Sequence, residues 1–291
     1  MKRQLLLIIT LTGFVFSGLA QQDALLWKVT GKKLDEPSYL YGTIHIQAKT
    51  VFAFDPVVYD KLESCDALAV ELIMDEIDQE EVKEQMIMEE GTIADYLSDD
   101  EFDMLDSIMQ ARTGQPLLLF QKMKPFFLSS QLMQNMMPKE MPMPLDMHFI
   151  DTARKMDKNI LALEELSDQI GAIDKMTIEE QVDMLMDGLT DEENSMEKQF
   201  NRLVDAYVAQ DLDSLQVLMQ DTALPEAFGD ELIIHRNKVM AKNIHKIMKK
   251  QSVFAAFGAA HLVDEKGVIK LLRKRGYTVE PVRFDFAVAE E

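Results

Sequence analysis

Tyr39-Leu40-Tyr41-Gly42-Thr43-Ile44-His45 and Val253-Phe254-Ala255-Ala256-Phe257-Gly258-Ala259-Ala260-His261 share one pattern, an apolar β-rich run followed by Gly-x-x-His. Such runs predict buried strands. Open α/β sheets keep their ligands just outside the carboxyl ends of their strands, so each motif delivers an imidazole to that position. With 12 glycines and 5 histidines in 291 residues, about 0.2 spacings of this kind arise by chance. Two of them, both after strands, point to one shared site.

Around these two anchors the remaining elements can be read in order. Leu25-Leu26-Trp27-Lys28-Val29 and Tyr39 to Tyr41, separated by Gly31, Asp35 and Pro37, predict an initial hairpin. A helix over Pro56 to Leu62 leads into Ala67-Leu68-Ala69-Val70-Glu71-Leu72, a strand with a carboxylate near its end. Asn159-Ile160-Leu161-Ala162-Leu163-Glu164 repeats that arrangement. After Phe257, the apolar spacing of Val268, Ile269, Leu271 and Leu272 predicts a helix stopped by Gly276, and Tyr277-Thr278-Val279 returns as a strand.

The stretches between are helical. Ser98 with Glu101 and Thr177 with Glu180 fit the capping box. Ile178, Val182, Leu185, Met186 and Leu189 form one apolar stripe, and Met196, Phe200, Leu203, Val204 and Tyr207 another. The expected fold class is α/β: a small mixed sheet with helices and large helical insertions at about 76–158 and 168–250, within a single domain over 21–291.

Met1-Lys2-Arg3, the apolar run Leu5 to Phe16 and the small residues of Gly18-Leu19-Ala20 read as a signal peptide over residues 1–20. The expectation is an exported protein, periplasmic or extracellular, without stable membrane insertion after cleavage. Cys65 is the single cysteine, so no internal disulfide forms and the core must stabilise the fold. A net charge of −21 excludes a nucleic-acid backbone or an anionic membrane surface as the expected partner.

If the strands are parallel neighbours, His45, Glu71, Glu164 and His261 gather at one sheet edge. Two imidazoles with one or two carboxylates suit a divalent transition metal such as Mn, Co, Zn or Fe. A metal-bound water is acidified toward neutral pH, and a glutamate outside the coordination shell would accept its proton. Arg236 and Asn237 fall on the apolar face defined by Ile233, Met240, Ile244 and Ile247, and a polar pair on such a stripe requires partners. Arg236 is expected to pair with Glu71 or Glu164, and to orient a carboxylate or stabilise charge on a substrate carbonyl. Among the remaining histidines, His148 is expected to line a cleft and His245 to be solvated. The methionines 133, 136, 137, 141, 143 and 147 are expected to fill gaps under a helical cap or to form a groove.

Leu26-Trp27-Lys28-Val29, the Gly42 to His45 motif, Leu163-Glu164 followed by Gln169, Arg236-Asn237, and Phe257 through Leu262 together resemble the TraB/PrgY/GumN family over roughly residues 24–283. That family is related to the Tiki metalloproteases and, more distantly, to erythromycin esterase and haem-binding ChaN-like proteins. The resemblance implies paired Gly-x-x-His motifs, here Gly42 with His45 and Gly258 with His261. It also implies acidic and arginine residues around one site, in an α/β fold with helical insertion. His45 and His261 match the motif histidines, Glu71 and Glu164 match acidic positions, and Asp146 resembles a further acidic one. Leu145 stands where the family often has glycine, and His235 where an acidic residue often precedes the Arg-Asn pair.

The leading expectation is therefore an exported metal-dependent hydrolase, a peptidase acting on a peptide or protein through metal-activated water. The alternative is a non-enzymatic protein that captures a peptide signal or haem in the same cleft.

Overall fold

A computed structural model of the chain describes residues 24–190, 196–220, 230–263 and 265–287; the segment read as a signal peptide lies outside the described residues. Six strands, β1 (Leu26–Thr30), β2 (Ser38–Thr43), β3 (Ala67–Val70), β4 (Asn159–Ala162), β5 (Val253–Gly258) and β6 (Thr278–Val282), form one sheet in the order β4-β3-β5-β2-β1-β6. The expected hairpin pairs Leu26 with Tyr41 and Val29 with Ser38, antiparallel. β2 and β5 pair in parallel, Thr43 opposite Gly258, and β3 joins β5 and β4 in parallel as well. The sheet is mixed, with β1 antiparallel to both of its neighbours.

This order has one consequence for function. β2, β3, β4 and β5 all point the same way, so the residues that follow them emerge at one edge. β2 and β3 are buried throughout, as interior strands of a parallel sheet require, whereas β4 closes the sheet and stays partly exposed.

Helices α1 (Val57–Ser64), α2 (Gln79–Gln85), α3 (Asp99–Thr113), α4 (Pro125–Met136) and α5 (Leu145–Lys155) lie between β3's approach and β4. Then α6 (Leu166–Ile173), α7 (Ile178–Thr190), α8 (Met196–Val208), α9 (Leu212–Gln220) and α10 (Arg236–Met248) precede β5, and α11 (Val268–Lys274) precedes β6. Both capping boxes form. The Ser98 backbone and hydroxyl donate to Glu101, and Thr177 and Glu180 bond reciprocally at the head of α7. Gly276, at φ +88°, follows α11 in the left-handed conformation that ends helices without a Cβ clash.

Among the described residues two main apolar cores result, with a third small cluster around Ile173 and Met176. The larger one packs Trp27, Tyr41, Phe149, Phe254 and Phe257 on and around the sheet, with Tyr41 edge-on to Phe149 at 5.2 Å. The smaller joins Leu105 and Met109 of α3, Leu128 and Leu132 of α4, and Val182 and Leu185 of α7. The α8 stripe behaves as its spacing requires: Tyr207 is fully buried and Phe200, Leu203 and Val204 pack against the main core. Cys65 is a buried free thiol, pushed up to about 12 chiefly by burial.

Gly42 is fixed by close approach. A Cβ there would stand 2.7 Å from Leu262 Cδ1 and 2.9 Å from the Ala259 backbone, because β2 runs directly beneath the turn carrying His261. Gly42→Ala should therefore cost about 1–3 kcal/mol through overpacking, read as a lowered midpoint in urea unfolding; an unchanged midpoint would show that the turn is not pressed onto β2.

Candidate functional site

The turn after β2 carries His45, and the residue after β3 is Glu71. Two residues beyond β4 comes Glu164, and the turn Ala259–His261 after β5 carries His261. α10 then brings Arg236 and Asn237 to the same edge with its first two residues. Its apolar positions Met240, Ala241, Ile244 and Met248 are buried, which fixes the helix's angle and turns this polar pair inward. Asp230–His235, ahead of α10, forms a π-helical turn.

Arg236 is 6% exposed and holds both glutamates. Its Nη2 donates to Glu71 Oε2 at 2.7 Å and to Glu164 Oε1 at 2.6 Å, and its Nε donates to Glu164 Oε2 at 2.9 Å. Gln169 Nε2 donates to Glu164 Oε1 at 2.7 Å and to Glu71 Oε2 at 3.3 Å, and the Gly258 amide donates to Glu71 Oε1 at 2.6 Å. Two buried carboxylates repel each other, so the guanidinium fork between them is what makes the arrangement tolerable.

The histidines are held differently. Asn237 Nδ2 donates to the Lys266 carbonyl, so its Oδ1 faces His261 Nδ1 at 2.7 Å and requires the proton there. His261 is buried and pushed down to about 4: burial acts first, the Glu71 charge opposes it, and the charges of Arg236 and His45 reinforce it. It is neutral at physiological pH, with Nε2 unprotonated. His45 Nδ1 lies 2.9 Å from Asp146 Oδ1, a charge contact too poorly aligned to satisfy that oxygen as a hydrogen bond. With 62% of the His45 side chain exposed, the loss of water that opposes its charging is partial. The Asp146 contact and charge, with Glu71 beyond, outweigh it and push His45 up to about 9.

His45, His261, Glu71 and Arg236 line a cavity of about 280 Å³, and His45 and Glu71 also border a smaller one of about 60 Å³ with Asp146 and Gln169. Glu164 borders neither; its side chain is fully enclosed. Thr43 Oγ1 and Asp146 Oδ1, on the walls of the smaller cavity, are buried with no hydrogen-bond partner. Every carboxylate oxygen of the two glutamates already accepts from at least one protein donor. Among the described residues no group of three or more His, Cys, Asp or Glu stands ready to hold a metal ion. The site's metal-ligating atoms left without a hydrogen bond are the two imidazole Nε2 atoms and Asp146 Oδ1. His45, pushed up to about 9, must give up a proton before its nitrogen can bind a metal, and imidazole nitrogen suits an intermediate transition metal better than an oxygen-seeking one.

Gln169, Thr43 and Tyr207 did not stand out in the sequence as site residues. Tyr207 donates to the Gly42 carbonyl at 2.8 Å and lines the larger cavity. Gln169, five residues after Glu164 and on α6, had a signal in its spacing, one helical turn into the element that follows the strand. One histidine expectation is corrected. His148 shares a hydrogen bond of 2.9 Å with Tyr59 and packs edge-on against Phe52, away from both of these cavities, because α5 turns it toward α1. His245 is half-buried, and β6 brings the Tyr277 hydroxyl within 2.7 Å of its Nδ1. The methionines divide: Met133 and Met136 pack on the smaller core, and Met137 and Met147 on the larger, Met137 also reaching the cavity.

The profile of the TraB/PrgY/gumN family matches residues 25–281. The chain belongs to the TraB/PrgY/gumN family. Metalloprotease TIKI1 of Danio rerio is 25% identical to it across 89% of this chain and 63% of its own length, and Metalloprotease TIKI1 of Xenopus tropicalis is 23% identical across 89% and 62%. Metalloprotease TIKI2 of Xenopus tropicalis is 26% identical across 47% of this chain. This member of the family spans a little under two thirds of the length of the two TIKI1 relatives. No helix among its described residues is long and apolar enough to cross a membrane.

Arg236→Ala would leave Glu71 and Glu164 buried without their counter-charge, a loss expected to cost about 3–5 kcal/mol. The acid limb of stability should carry Glu71. Burial alone would push its carboxyl up, but His261, Arg236 and His45, with the Gly258 amide, bring it to about 2. At neutral pH, where His261 is uncharged, Arg236 and His45 are the cations that hold Glu71 ionised, and His261 joins them only as the pH falls below about 4. A depressed carboxyl contributes fully above its ordinary value of 4.5 and loses that contribution as pH falls toward 2. Urea melts of Glu71→Gln between pH 5 and about 2 should fall less steeply than wild type; parallel curves would show that Glu71 is not held in its ionised form.

Proposed function

We propose that this chain is an exported, metal-dependent hydrolase acting as a peptidase on a peptide or protein. The observation that carries the reading is the pair of imidazoles on one cavity. Each has its Nδ1 engaged by a neighbour, Asp146 or Asn237, and neither Nε2 has a hydrogen bond among the described residues. Outer partners of this kind fix ring orientation in metal sites. Relatives named metalloproteases over most of the chain support the same reading.

In this reading His45 and His261 hold a divalent Mn, Co, Zn or Fe ion through Nε2. When bound, such an ion acidifies a water and polarises the scissile carbonyl. Glu71 is the carboxylate that faces the cavity. Giving up its long 3.3 Å bond from Gln169 would leave Oε2 held by Arg236 alone, with a lone pair to complete the metal site. Glu164, sealed and doubly bonded to Arg236, positions the guanidinium; Arg236 borders the cavity and stabilises negative charge developing on the substrate carbonyl. The signal-peptide reading of residues 1–20 supports export.

His45→Ala and His261→Ala should each abolish chelator-sensitive peptide cleavage and lower bound metal, with melting little changed for His45, whose side chain is exposed, and lowered for His261, whose buried ring bonds Asn237. Asp146→Ala should weaken metal binding by about 10–100-fold, the usual effect of losing an outer-shell partner. Elemental analysis and a peptide-cleavage assay on the same preparations check both. Full turnover in both histidine variants would overturn the catalytic assignment, and stoichiometric peptide or haem capture without turnover would favour a binding protein.

A further inference from the structure

The larger cavity has two unlike walls. One is the sheet edge, with His45, Glu71, Arg236 and His261. The other is built from Leu203 and Tyr207 of α8, Leu215 of α9, Ile233 of the π-helical turn, and Met137 just after α4. Among the described residues no charged side chain stands on this second wall. Its one polar atom among the described residues, the Tyr207 hydroxyl, donates to the Gly42 carbonyl at 2.8 Å, and with Tyr207 fully buried the surface offered to an occupant is that of Leu203, Ile233 and Met137. The space, about 280 Å³, falls at the lower limit of small-molecule sites, roughly 300–1,000 Å³. That suits one bulky residue better than a long segment of peptide.

Resting on the peptidase reading above, we infer that this wall is a specificity pocket for one large apolar side chain, Leu, Met or Phe, of the substrate residue adjoining the reacting bond. The two walls belong to one cavity, so a residue whose carbonyl lies beside the histidine pair has its side chain within reach of Leu203 and Ile233. An apolar side chain there exchanges water for hydrocarbon contact. A charged or amide side chain would lose its hydration with no partner to replace it, because the sole hydroxyl is committed. A single methylene in such a pocket is worth roughly 10–200-fold in discrimination, so the difference between Ala and Leu should be large. Met137 and the half-buried Ile233 give the wall some adaptability, which favours a class of side chains over one shape.

The test uses fluorescein-labelled hexapeptides that differ only in the central residue: Leu, Met, Phe, Ala, Asp or Lys. Binding to the mature protein is read by anisotropy with chelator present, so that it does not depend on turnover. Leu, Met and Phe peptides should bind at least about tenfold more tightly than Ala, with Asp and Lys weaker still. Leu203→Asp and, independently, Ile233→Asp should erase that preference and raise the affinity of the Lys peptide. Both lie on partly buried positions, and a melt of each variant establishes that it is folded. Equal affinity across the series, preference for a charged residue, or no binding at all would overturn the pocket. Cleavage of the same peptides after metal addition is scored separately: tight, apolar-selective binding with no cleavage under any metal would sustain the pocket and overturn the peptidase.

Discussion

One guanidinium holds the candidate site together. Arg236 reaches Glu71 after β3 and Glu164 after β4 from the first turn of α10, three elements far apart in the chain. A buried anion without a partner costs several kcal/mol, roughly the stability margin a domain can spare. The pairing is therefore a constraint on assembly. Strands β3 and β4 must be in register, and α10 must lie at one angle, before any of the three charges is compensated.

The sheet order supplies the rest of that constraint. β5 is inserted between β3 and β2, which sets Gly258 beside Glu71 and the His261 turn above Gly42. The two Gly-x-x-His motifs are adjacent because their strands are adjacent, Thr43 opposite Gly258. Their glycines do different work. Gly42 allows a turn to rest on the strand, whereas Gly258 gives its backbone N–H to Glu71.

Much of the fold was legible because it is locally encoded. Apolar runs gave the strands, side-chain pairs at the right spacing gave the helix starts, and the two histidine motifs pointed at a common edge. What could not be read was what the edge looks like once assembled. Glu71 and Glu164 look alike in sequence, each following an apolar run, yet Glu71 faces the cavity and Glu164 is enclosed by Arg236 and Gln169. Enclosure is set chiefly by Arg236, 72 residues away, which no local window contains. For the same reason the partners of His148 and His245 could not be read: their neighbours Tyr59 and Tyr277 arrive through tertiary packing. The apolar wall was visible only as helical stripes, because periodicity marks a face that is covered and not what covers it.

A double-mutant cycle between Arg236→Met and Glu164→Gln, measured by urea unfolding at neutral pH, tests the clamp most directly. Groups that contact each other show coupling of about 0.5–3 kcal/mol, while independent sites add within about 0.5 kcal/mol. A double variant markedly less destabilised than the sum of its parents is the result this arrangement requires. Additive losses would contradict it, showing that Arg236 and Glu164 do not depend on one another and that the site is held by something else.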